Sequence, residues 1–182
     1  MIGSSPLAQE FWEKGRSNSC PIYDMHGHMG PFHSIYFPRC DTNAMISTMD
    51  ECGVKMLFFS HHLALFSPNY GNQPSIDAVR LYPERLRAYC VINPNYPEIV
   101  ERDIASYSLY TDVFVGFKFL SDYHKVALTD ERYRPAWEFA NRHRLLILIH
   151  TWGGSLFDGP KCVRSMAERY PDVSILMGHS CH

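Results

Sequence analysis

The sequence lacks several things that would direct its reading elsewhere. Its six cysteines, at 20, 40, 52, 90, 162 and 181, form no Cys-x-x-Cys pair. Neither a zinc-knuckle spacing nor a redox motif is written in them, so reduced thiols are expected, with Cys52, Cys90 and Cys162 inside apolar patterns. There is no cluster of Lys or Arg, and the net charge is -2 with a pI near 6.5; nucleic-acid and anionic-membrane partners are therefore not expected. The apolar runs around 54–60 and 145–149 fall far short of the roughly 20 residues needed to cross a bilayer. The opening Met-Ile-Gly-Ser-Ser-Pro has neither the basic start nor the apolar core of a signal peptide, so a cytoplasmic location is expected. No Gly-x-Gly-x-x-Gly turn follows the first strand, which argues against a dinucleotide site. At 46% hydrophobic and 20% charged the chain is too apolar to be disordered, and 182 residues suit one well-cored domain.

What is present is regular alternation. A short helix over 4–16 is expected first, with Ser5 as its cap and Pro6 in its first turn. Short apolar runs then read as strands over 21–26, 54–60, 87–92, 113–119, 145–150 and 173–178. Helical patterns fall between them, over 42–52, 74–82, 97–107 and 131–143 and from Pro160 onward. Residues 30–40 and 61–73 read as loops.

Strict β-α alternation leaves an open doubly wound sheet or a closed barrel. The polar residues at strand ends favour the barrel. His26 and His28 close the first strand and, being two apart, share a face. Lys118 lies near the end of the fourth strand, His150 ends the fifth and His179 ends the sixth. Groups at the C-terminal ends of several strands meet only if the sheet curls around one axis. Six units of ~30 residues use the whole sequence, whereas eight need roughly 240. The expectation is an α/β chain of (β/α)8 TIM-barrel type, truncated after the sixth strand. It forms one partial domain over 1–182, with six βα-type units from about residue 21. Open strand edges in such a barrel predict a homo-oligomer.

Four motifs carry more. Asp-x-His-x-His (Asp24, His26, His28), Gly-x-Lys (Gly116, Lys118), Ile-His-Thr (149–151) and Gly-His-Ser (178–180) stand in order at the ends of strands one, four, five and six. Over residues 21–182 the sequence resembles the amidohydrolase superfamily, most of all its amidohydrolase-2 branch of TIM-barrel metal-dependent hydrolases and decarboxylases. The resemblance implies that His26, His28 and His150 ligate a divalent metal, most often Zn2+. It implies that the family's fourth ligand, an aspartate after strand eight, has no counterpart in this sequence. His179 matches the strand-six histidine that binds a second metal or polarises substrate and water, which makes it the catalytic candidate. Lys118 matches the lysine that bridges two metals in binuclear members; a second-metal or a structural role both stay open for it. Leu120 stands where the family often has another histidine.

The chemistry is coherent. Neutral imidazoles suit zinc, and the ion lowers the pKa of water from about 15.7 to near 7. The first functional reading is a metal-dependent hydrolase attacking an amide, ester or lactone carbon of a small-molecule substrate. The alternatives are nonoxidative decarboxylation of an aromatic or unsaturated acid, which would use the same ligands, and an inactive metal-binding barrel fragment. Trp152, Tyr70 and His61 are the candidates for the substrate pocket, with Tyr36, Phe37 and Phe66 as further aromatic walls. His33, His62 and His124, with His61, sit in loops on the same face, where solvent exposure is the expectation.

Overall fold

A computed structural model describes residues 5–67 and 70–179. Residue 4, where the first helix was expected to begin, and Ser180 of the Gly-His-Ser motif lie outside the described residues. So do Cys181 and His182. Six strands, β1 (Ile22–Met29), β2 (Val54–His61), β3 (Leu86–Ile92), β4 (Phe114–Phe119), β5 (Leu146–His150) and β6 (Ser174–Gly178), make one parallel sheet in the order β1-β2-β3-β4-β5-β6. Each crossover steps to the next strand in the same direction. A doubly wound sheet needs a reversal of strand order, and this one has none.

Three chords across the interior show that the sheet curls. Tyr89 on β3 donates its hydroxyl hydrogen to the Met25 carbonyl on β1 at 2.9 Å. Lys118 Nζ on β4 lies 2.9 Å from His26 Nε2 on β1. The His26 ring lies 5.2 Å from that of His179, one residue past β6. In a flat sheet with strands ~4.8 Å apart, β6 would stand roughly 24 Å from β1. The molecule is a curled half-barrel of six strands.

Helices α1 (Pro6–Lys14), α2 (Thr42–Cys52), α3 (His62–Phe66), α4 (Gln73–Leu81), α5 (Pro97–Ser106), α6 (Ser121–His124), α7 (Arg134–His143) and α8 (Pro160–Arg169) connect and cover the strands. The core lies between the outer face of the sheet and the longer helices. Phe59, Ala88, Cys90, Phe117, Phe119, Ile147 and Ile149 from the strands meet Met49, Val79, Val100, Trp137, Ala140 and Met166 from the helices. Strands β3 to β5 are almost wholly buried, whereas the outermost strands are not: Tyr23 is 49% and Met177 51% exposed.

Local chemistry explains the boundaries. Asp41 caps α2 by accepting from the Ala44 N–H at 3.0 Å, and Gly53, at φ 73°, ends it in the left-handed region. Gly116 is required by packing, because a Cβ there would stand 1.9 Å from the Leu146 carbonyl oxygen of β5. The structure corrects three expectations. Strand β1 runs on to Met29, past both histidines, with a register shift between Asp24 and Gly27. The expected loop over 61–73 holds α3, and α6 forms directly after β4. Residues 131–133 make a 3-10 turn, and α7 proper begins at Arg134 with Pro135 in its first turn. The five described cysteines are free, and Cys52 and Cys162 are only partly buried. Among the described residues no helix is long and apolar enough to cross a membrane.

Candidate metal centre

The strand ends build the site. A cavity of about 550 Å³ opens at the C-terminal side of the sheet, and His26, His28, His62, His150 and His179 all line it, with Asp24 beside them. The rings of His26 and His28 are 5.1 Å apart, and those of His150 and His179 are 4.5 Å apart. Asp24, His26 and His28 all line this cavity, across the register shift that β1 carries between Asp24 and Gly27. Asp24 Oδ1 accepts from the His26 N–H at 3.0 Å, which steadies the strand where its register slips. Gly178 allows the approach of β1 and β6, because a Cβ there would stand 2.6 Å from His26 Cε1.

Burial sets the electrostatics. It pushes His26 and His28 down to about 3, helped by the charge of Lys118. His150 falls to about 4, again through burial first and Lys118 second. Burial alone brings Lys118 down to about 7. All three imidazoles are thus neutral at pH 7, the state in which they can ligate. The Lys118 amine lies within hydrogen-bond distance of His26 Nε2, and among the described residues no carboxylate pairs with it. Any structural role of Lys118 is therefore not that of an ion pair among the described residues.

Two observations bear on whether these residues fit a divalent cation. His150 Nε2 is buried and, among the described residues, has no hydrogen-bond partner. A buried ring nitrogen with nothing to bond is costly, and a ligand would satisfy it. Yet among the described residues no three His, Cys, Asp or Glu side chains are grouped tightly enough to hold an ion as they stand. The donor chemistry fits, and the donors line one cavity; an ion held by His26 Nε2 would have to displace the Lys118 amine from that nitrogen.

The loop residues sort differently from the sequence reading. Trp152 lines the cavity, stacked on His179 at 4.9 Å with an interplanar angle of 14°. Tyr70 does not: it lines a separate cavity of about 320 Å³ between α4 and α5. His61 does not either, because its Nδ1 is turned to the Leu63 N–H at 3.1 Å, at the start of α3. Phe37 lines the cavity, while Tyr36 is 92% exposed. His33 is exposed, but His62 and His124 are buried, contrary to expectation. His62 bonds the Gly30 carbonyl through Nδ1 at 2.7 Å and stacks on His28 at 5.1 Å. His124 bonds the Leu65 carbonyl through Nε2 at 2.8 Å. Reasoning from loops missed both because the short helices α3 and α6 fold these segments back onto the sheet.

Sequence reasoning also missed Tyr123, whose ring meets His150 edge-on at 5.1 Å, and Asp158, which is fully buried. An acidic residue in a Gly- and Ser-rich loop gives no periodic signal to find it by.

No protein-family model matches the sequence, and no curated protein does. Solved structures do resemble it. The 5-carboxyvanillate decarboxylase of Novosphingobium aromaticivorans, in a complex with manganese, aligns at 19% identity and TM-score 0.57 over 74% of this chain and 48% of its own. A probable 2-pyrone-4,6-dicarboxylic acid hydrolase of Acinetobacter baumannii aligns at 16% identity and TM-score 0.57, over 87% of this chain and 57% of its own. The 4-oxalomesaconate hydratase of Rhodopseudomonas palustris aligns at 16% identity and TM-score 0.59, over 87% of this chain and 63% of its own. The chain thus spans about half to two-thirds of the length of these enzymes. At such identities the likeness establishes the fold: this is the six-stranded part of a parallel β/α barrel of the kind that carries these decarboxylases, hydrolases and hydratases.

Proposed function

We propose that this chain carries the histidine side of a metal-dependent hydrolase site, with His26, His28 and His150 as the residues that would hold a divalent cation. The observation that carries this reading is the Nε2 of His150, buried and without a hydrogen-bond partner among the described residues, on a side chain that lines the cavity shared with the β1 histidines. Bound there, a divalent cation supplies Lewis acidity to a carbonyl and lowers the pKa of water. The chain's own residues do the rest. His26, His28 and His150 are neutral and need shed no proton to ligate. His179 is exposed at the cavity mouth, with its ring fixed against Trp152, and is placed to take a proton from water or steady a substrate oxygen. Phe32, Phe37 and Tyr123 wall the cavity and exclude water from one side of a bound substrate.

Those aromatic walls favour a second reading, nonoxidative decarboxylation of an aromatic or unsaturated acid. Loss of CO2 disperses a carboxylate's charge, which an apolar surround assists. Zn2+, Mn2+ and Co2+ titrated separately into the purified chain test the metal reading. Stoichiometric binding, abolished in His150→Ala, is expected; equal binding by that variant would defeat it. Oxygen-18 from water appearing in the product marks hydrolysis, and CO2 release without it marks decarboxylation.

A further inference from the structure

Asp158 sits in the loop between β5 and α8 and has no exposed surface. Its carboxylate bonds main chain from two different segments. Oδ1 accepts from the Trp152 N–H at 3.4 Å, and Oδ2 accepts from the Asp122 N–H in α6 at 3.1 Å. Burial raises its pKa, which these bonds partly offset, and among the described residues no cation forms an ion pair with it. A buried carboxylate held by the Ser155 hydroxyl and two backbone amides, with no cation beside it, is a costly way to close a loop, unless it fixes something.

The two segments it joins bring two aromatic rings to His150. Trp152 meets that imidazole edge-on at 5.3 Å, and Tyr123, next to Asp122, meets it edge-on at 5.1 Å. Trp152 also stacks on His179. We propose that Asp158 is a positioning residue: by bonding the main chain beside Trp152 and Tyr123 at once, it sets the two rings that orient the His150 imidazole in the cavity. It touches neither substrate nor any group that would bind metal, and it acts only through those rings. Its consequence for metal affinity rests on the reading of His150 as a ligand; the positioning itself does not.

Asp158→Asn keeps the shape and one carbonyl acceptor but cannot accept fully from both amides; Asp158→Glu keeps the charge. The His150 ring-proton resonances, assigned by their loss in His150→Gln, report the flanking rings directly. In Asp158→Asn these resonances are expected to move, and the Trp137 indole resonance in the core to stay. Asp158→Glu should restore them in part. Co2+ titrated alone should bind Asp158→Asn about tenfold more weakly, the scale at which supporting groups tune a metal site. Unmoved His150 resonances in a folded Asp158→Asn would overturn the proposal. So would global unfolding of that variant, which would make Asp158 a residue of overall stability instead. If the unsubstituted protein bound no Co2+ while the resonances still moved, the positioning would stand and the metal reading would fall.

Discussion

The amine of Lys118 and the Nε2 of His26 lie 2.9 Å apart, reaching across the half-barrel from β4 and β1. The contact ties the first strand to the fourth through two side chains, and any ligand that took His26 Nε2 would have to displace it.

Burial of Lys118 makes stability depend on pH in a definite direction. Its folded pKa, about 7, lies below the ordinary lysine value of 10.5. Between those values the unfolded chain binds more protons than the folded one, so stability rises with pH from about 7 towards 10.5 and is flat below 7. Lys118→Met should remove that rise and stabilise the protein at pH 7 by an amount on the order of 3–5 kcal/mol. Urea melts at pH 7 and pH 9.5 check this; equal slopes against pH in the two proteins would contradict it.

The cavity histidines act at lower pH. His26 and His28, near 3, and His150, near 4, lie below the ordinary value of 6.5. Their contribution is complete above pH 6.5 and is lost as pH falls towards 3 to 4, because the unfolded chain takes up protons that the folded chain refuses. His26→Gln combined with His28→Gln should flatten the fall in thermal midpoint between pH 6.5 and pH 4.

Two glycines separate site from scaffold. Gly116→Ala drives a methyl into the Leu146 backbone, which cannot yield as a side chain can. We expect a loss of more than about 3 kcal/mol, or no folded protein. Gly178→Ala meets the His26 ring instead. It should cost about 1–3 kcal/mol while displacing His26, so that metal affinity falls more than stability does. Denaturant melts paired with Co2+ titrations distinguish the two.

The uncovered edges of β1 and β6, with Tyr23 and Met177 half-exposed, lead us to propose that the chain associates with itself. Sedimentation over a range of concentrations should show species heavier than 21.0 kDa. A monodisperse monomer throughout would refute this.

Much of this was legible in the sequence, for identifiable reasons. Helix α2 was readable because Met45, Met49 and Cys52 make one apolar stripe and Gly53 is a strong stop signal after it. Strands β3 to β5 were readable because a strand covered on both faces is a continuous apolar run. The placement of His26, His28, Lys118, His150 and His179 at strand ends was visible once the strands were counted. The far side of the cavity was not. α3 and α6 are single turns, too short for helical periodicity, and they bury His62 and His124 through main-chain carbonyls that no side-chain pattern announces. Tyr70 looked like a pocket residue by composition and proximity in sequence. Only the path of the chain shows that it faces the gap between α4 and α5.

Each strand in this sheet pairs with the one made just before it, so the scaffold can grow by local additions as the chain emerges. The cavity cannot. His26 precedes Lys118, His150 and His179 in the chain and must wait for each of them before its surroundings exist. During that interval its strand presents an edge and two bare imidazoles. Availability of metal, or of a chaperone to cover that edge, would then bear on the yield of folded protein before it bears on any reaction.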